Sequence, residues 1–241
     1  LGLLGELGLG YVRLDRRVET LSGGEAQRVR LASQVSSGIS GVLYVLDEPT
    51  VGLHARDHNR LLGVLRRLRD SGNTLLVVEH DPEVILAADH LIDLGPGAGE
   101  LGGDIVFTGS LEELARNRDS VTARHLFGGN GRGPDIRNGG KVRPGFGAGS
   151  IQVLGARENN LKAPEITLPL GGMVCVTGVS GSGKSTLVQE ILYPALRRIK
   201  GRAGETPGAH DGIRGHEFID DIILVDQSPL GRTARSNPAS Y

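Results

Sequence analysis

An α/β fold with a mostly parallel sheet and flanking helices is what this sequence predicts, and three features carry that prediction. Val42-Leu43-Tyr44-Val45-Leu46 and Leu75-Leu76-Val77-Val78 are continuous apolar runs, the pattern of strands buried on both faces. Between them Leu61, Leu62, Leu65 and Leu68 recur at helical spacing, and Gly72 stands where a helix C′ residue would. Strand, helix and strand at this spacing form a βαβ unit, which requires a parallel pair. The third feature is the apolar run at 173–177, followed by a glycine-rich turn and a helical stretch from Lys184 to about Arg198.

The remaining elements follow in order. Asp81-Pro82 reads as N-cap and N1 of a short helix. Residues 90–94 and 104–107 look like further strands, as do 151–154, 166–168 and 220–225. Residues 117–150 are rich in Gly, Arg and Asn and read as a linker, its arginines and lysine (Arg124, Arg132, Arg137, Lys141, Arg143) as a solvated surface. Residues 201–215 are glycine-rich and expected to be loose.

Composition narrows the classes. The 241 residues carry 38 glycines, 3% aromatics and a formal net charge of −1, so nucleic-acid binding cannot be argued from net charge. The single cysteine, Cys175, excludes disulfides and cysteine-rich zinc sites within these residues, and its apolar neighbours make it a small core residue. No apolar stretch reaches membrane-span length and no leader pattern is visible, so the cytoplasm is the expected compartment. A start at Leu1, with Met173 the only methionine, suggests a piece of a longer protein.

The chemistry-bearing motifs cluster at strand ends. Gly178-Val179-Ser180-Gly181-Ser182-Gly183-Lys184-Ser185 fits the phosphate loop G-x-x-x-x-G-K-[ST], with strand before and helix after. Its glycines let backbone N–H groups turn onto phosphate oxygens, Lys184 would reach the β and γ phosphates, and Ser185 would bind Mg²⁺. Asp47-Glu48 follows a buried strand, where an Asp can hold Mg²⁺ and a Glu can polarise water. His80 follows the next strand at the same edge. Ser22 and Glu25 form a capping box whose N1 and N2 residues are Gly23 and Gly24. Two such glycines cost on the order of 1 kcal/mol each, and their bare N–H groups would admit a phosphate. Gln227 follows the last strand and could bind Mg²⁺ or the attacking water.

As a set these segments resemble the ABC ATPases. The phosphate loop matches Walker A, with Thr186 beside it; Leu21–Glu25 matches the LSGGE signature, Val42–Glu48 Walker B, His80 the switch histidine and Gln227 the Q-loop. Gly24-Glu25-Ala26-Gln27-Arg28, Asp47-Glu48-Pro49-Thr50-Val51-Gly52-Leu53-His54, Gly155-Ala156-Arg157-Glu158-Asn159-Asn160-Leu161-Lys162 and Asp226-Gln227-Ser228-Pro229-Leu230-Gly231-Arg232 narrow the resemblance to the UvrA family of the bacterial excision-repair excinucleases. The resemblance implies ABC-type P-loop NTPase partial domains: residues 1–116 the end of a first ATPase domain, 117–150 a linker, and 151–241 the start of a second. Walker A follows the signature rather than preceding it, which a circular permutation would also explain. The family's tandem order needs no rearrangement, so it is preferred.

The resemblance further implies ATP and Mg²⁺ as ligands, ATPase activity in the parent protein, damaged double-stranded DNA and UvrB as partners, a homodimeric parent and no membrane. The family's zinc module has no ligands here. A related ABC protein serving drug resistance or export, or a nucleotide-binding piece without turnover, are the alternatives. Because ABC sites are composite, Gly178, Ser180, Gly181, Gly183, Lys184, Ser185 and Thr186 are expected to meet Ser22, Gly23 and Gly24 in one site, while Asp47, Glu48 and His80 serve another.

Overall fold

The computed structural model describes residues 2–117, 120–128 and 146–228. Its first half holds α1 (Gly2–Glu6), α2 (Gly23–Ser37), β1 (Val42–Asp47), α3 (Ala55–Asp70), β2 (Thr74–Val78), α4 (Pro82–Ala87), β3 (His90–Gly95), β4 (Asp104–Gly109), α5 (Leu111–Leu114) and α6 (Val121–Phe127). The second holds β5 (Ser150–Ala156), β6 (Ala163–Pro169), β7 (Met173–Gly178), a π-helical turn Thr186–Leu192, α7 (Tyr193–Ile199), β8 (Gly212–Arg214) and β9 (Asp221–Val225). The fold is α/β, with a mixed, mostly parallel sheet and flanking helices. No helix among the described residues is long and apolar enough to cross a membrane.

Reading the two segments as parts of tandem domains predicts two separate partial sheets, and here the structure differs. One six-stranded sheet runs β4-β3-β7-β2-β1-β9, so strands of both segments interleave. β7 lies parallel between β3 and β2, β9 lies parallel to β1, and only β4 runs antiparallel, against β3. The reason is the hydrogen-bonding demand of strand edges. β3 and β2 each have a free edge until β7 fills the gap between them, and β1 has one until β9 arrives.

Alternation along the strands divides the core. Val42, Tyr44, Leu46, Leu75, Val77, Met173 and Cys175 face a cluster built with α2, α3, α4 and α6. Leu43, Val45, Leu76, Val78, Val174 and Val176 face the other side, where the helix after β7 and the antiparallel sheet β6-β5-β8 cover them. Every parallel strand therefore ends at one common edge: Asp47, Val78, Gly95, Gly178 and Val225.

Two regions depart from the sequence reading. The expected linker contains α6, whose N-cap Ser120 accepts from the Ala123 N–H at 2.9 Å and donates its hydroxyl to Asp93 at 2.7 Å. Thr122 donates to the other Asp93 oxygen at 2.9 Å, so a buried carboxylate on β3 pins the helix start. Arg132, Arg137, Lys141 and Arg143 lie outside the described residues. The glycine-rich 201–215 segment is tied down: Pro194 has no N–H to offer the Glu190 carbonyl, and the Gly208 N–H takes that carbonyl at 2.7 Å. The lost rung falls where the regular α-ladder gives way to the π-helical turn Thr186–Leu192.

Candidate nucleotide site

The glycine-rich loop leaves β7 at Gly178. Its φ of 133° excludes a side chain, and a Cβ there would lie only 2.1 Å from the Leu94 carbonyl. The loop is braced from outside. Asn160 donates to the carbonyls of Gly99 and Gly181 at 2.9 and 3.0 Å, and the Gly103 N–H donates to the Ser182 carbonyl at 3.1 Å. Ser182 is fully buried and its Oγ lacks a partner. Lys184 folds back, donating to the carbonyls of Gly178 and Val179 at 2.9 and 3.0 Å. Burial lowers its pKa, opposed by the charges of Glu48, Asp93 and Asp47, so those carboxylates lie within electrostatic reach of this ammonium.

Ser180 and Ser185 stand on the loop and at the helix start, neither of them buried. Thr186 is buried: it donates to Glu190 at 3.3 Å and accepts from Asn159 at 3.2 Å. Its hydroxyl thus serves the helix and the β5–β6 turn.

The other wall comes from β1 and β2. Asp47 Oδ2 accepts from Gln189, one turn into the helix after the phosphate loop, at 2.6 Å. Asp47 Oδ1 is buried without a partner, and burial raises the carboxyl pKa. Glu48 takes a left-handed φ of 43°, and its Oε1 stands 3.7 Å from Nδ1 of the exposed His80. Between them sits Glu79, fully buried, accepting from Thr50 N and Oγ1 at 3.0 and 2.5 Å and from the N–H groups of His80 and Asp81 at 2.9 and 3.1 Å. This carboxylate locks the loops that carry Glu48 and His80 together. No motif marks Glu79 in the sequence; a charged residue closing an apolar strand was the available signal.

The start of α2 completes the edge. Ser22 accepts from the Glu25 N–H at 3.3 Å while Glu25 accepts from the Ser22 N–H at 2.7 Å, the reciprocal box the sequence predicts. The two glycines serve close approach: a Cβ on Gly24 would lie 2.6 Å from the Val51 carbonyl, and one on Gly23 would lie 3.0 Å from Gln227. Gln27, buried, donates to the carbonyls of Asp47 and Val225 at 2.7 and 2.9 Å and so straps β1 to β9. The expected division into two sites does not hold for this chain. Asp47, Glu48 and His80 share a sheet edge with Lys184, and Ser22–Gly24 abuts Gln227, because β7 and β9 pair with β2 and β1.

The donor set fits a divalent cation with a phosphate ligand. Asp47 offers an unpartnered buried oxygen, and Ser185 and Gln227 stand on the same edge.

The same segments recur in known proteins. No protein-family model matches the chain. Over all 241 residues it is 52% identical to "UvrABC system protein A" of Deinococcus radiodurans, covering 23% of that protein. It is 54% identical to the protein of the same name from Streptomyces avermitilis and 52% identical to that from Mycobacterium tuberculosis, covering 24% of each. Among solved structures it resembles UvrA2 from Deinococcus radiodurans at 45% identity and a TM-score of 0.52, covering 88% of this chain and 25% of that one. The chain spans about a quarter of the length of the relatives it matches.

Proposed function

We propose that this chain is an ATP-binding segment of a protein of the UvrABC system protein A family, its residues 1–116 and 151–241 being the end of one ABC ATPase domain and the start of the next in the longer protein, which pair in one sheet in this chain. In the parent protein, ATP binding and hydrolysis would serve recognition of damaged double-stranded DNA and exchange with UvrB, by a homodimer in the cytoplasm. The observation that carries the nucleotide reading is the buried, unpartnered Asp47 Oδ1 beside the helix that follows the phosphate loop.

Each residue has its own task. The loop amides from Gly178 to Gly183 and the Lys184 ammonium hold the phosphates. Binding therefore requires Lys184 to exchange the Gly178 and Val179 carbonyls for phosphate oxygens. Ser185, Asp47 and Gln227 would hold Mg²⁺, which when bound neutralises phosphate charge. Glu48 orients the attacking water and accepts its proton as phosphate and ADP separate, and His80 stands beside Glu48 to contact the γ-phosphate.

Calorimetric titration of the purified chain with ATP tests this. Binding should require Mg²⁺ for full strength and weaken roughly tenfold or more in Lys184→Ala, the loss of about 1.4 kcal/mol or greater expected for a charge-assisted contact. Glu48→Gln should bind as well as the parent chain and show no turnover. Equal affinity in Lys184→Ala would overturn the assignment.

A further inference from the structure

Away from the nucleotide edge, His58, Asp81 and Glu83 bring three metal-ligating atoms within 4.8 Å of one another. We propose that they form a binding site for a divalent transition-metal ion of the zinc class, different in ligand chemistry from any cysteine module. His58 projects from α3, and Asp81 and Glu83 stand at the start of α4, so the site would join two elements that meet beside the sheet.

Three independent observations support it. The first is spacing. Zinc with nitrogen and oxygen ligands at about 2.0–2.1 Å in a tetrahedron sets its ligands about 3.3–3.4 Å apart. His58 Nδ1 lies 3.3 Å from Asp81 Oδ2 and 3.7 Å from Glu83 Oε2, two edges close to that spacing, and the three atoms all lie within 4.8 Å of one another, so closing them on an ion needs side-chain adjustment only. The second is preorganisation. The His58 side chain is only 11% exposed, and Asp81 Oδ1 is fixed by the Glu83 and Val84 N–H groups at 2.9 and 3.4 Å, which leaves Oδ2 presented to the cluster. The third is charge. Among the described residues no lysine or arginine pairs with either carboxylate, so two negative groups converge on one imidazole without a fixed cation. The bland alternative is a hydrogen bond from the imidazole to Asp81 that ties α3 to α4. That tie needs neither Glu83 nor its orientation towards the ring.

With a neutral imidazole and two carboxylates the site carries two negative charges, which a dication balances, and water would fill the open fourth position. Asp81 directly follows His80, so an ion here would also fix the far side of the His80 loop.

The test is titration of the whole 241-residue chain, free of nucleotide and magnesium, with Zn²⁺ in a non-chelating buffer, read by calorimetry and thermal melting. One saturable equivalent that raises the melting temperature is expected. Glu83→Gln, a half-exposed change, and His58→Gln, which keeps an amide to tie Asp81, should each weaken that binding roughly tenfold or more. Both variants should retain the melting temperature of the metal-free parent and its MgATP affinity. No saturable binding, or binding of parental strength in both variants, overturns the proposal and leaves the helix tie, with the nucleotide reading untouched.

Discussion

The two oxygens of Asp47 stand in different circumstances, and the difference sets how the residue behaves with pH. Oδ2 is stabilised by the Gln189 amide, whereas Oδ1 is buried with nothing to accept. Burial is the largest influence and raises the carboxyl pKa, with Glu48, Asp226 and Glu79 adding to it. A carboxyl raised in the folded state binds its proton more tightly there than in the unfolded chain. Its contribution to stability is therefore fully present below the unfolded value and is lost as pH rises through the folded one. Asp47→Asn removes that liability and keeps an acceptor for Gln189. In metal-free buffer the variant should melt higher than the parent near about pH 7, with the gap closing towards about pH 4. A gap that is constant across that range would mean that Asp47 is not held out of solvent. Glu79 makes the opposite arrangement: a fully buried carboxylate, it accepts from four donors.

Among the elements, those with a local cause were legible in the sequence. The apolar runs marked β1, β2 and β7, the Ser22–Glu25 pair marked the start of α2, and Asp81-Pro82 marked the start of α4, whose cap accepts from Glu83 and Val84. Helix α6 was hidden because its anchor, Asp93, is distant in the chain, and only folding brings that carboxylate beneath Ser120 and Thr122. The purpose of Gly23 and Gly24 was likewise hidden, since Val51 and Gln227 reach them through tertiary structure. A Cβ on Gly24 meets backbone that cannot rotate away, so Gly24→Ala should destabilise by about 1–3 kcal/mol despite alanine's better helix propensity. Ser22→Ala removes only the cap and should cost about 1 kcal/mol. Urea unfolding separates the two, and a Gly24→Ala protein as stable as the parent would show that the Val51 carbonyl can give way to a methyl group.

For the whole molecule the decisive fact is that neither segment alone completes the six-stranded sheet or covers its two faces. The centre of the six-stranded sheet is β7 flanked by β3 and β2, one strand from the second segment between two from the first. The two hydrophobic clusters on the faces of this sheet are mixed in the same way: Met173, Cys175 and Val225 lie among residues of the first segment, and Leu43, Val45, Leu76, Val78, Ile92 and Leu94 among those of the second. This non-local pairing could not be read from the sequence, because each strand's apolar pattern says that it is buried and not beside which partner. Burial of each segment's apolar faces depends on the other, so the described residues should unfold as one cooperative unit. The sharpest test divides the chain into residues 1–128 and 146–241, produced separately. Each piece alone lacks the neighbours of its inner strands and should show weak amide protection and no cooperative melting. Mixed, they should regain a single transition, with the amides of β2, β3 and β7 the slowest to exchange. Either piece melting cooperatively alone would mean that it covers its own sheet edges, and then the interleaved order would not be the arrangement the chain adopts in solution.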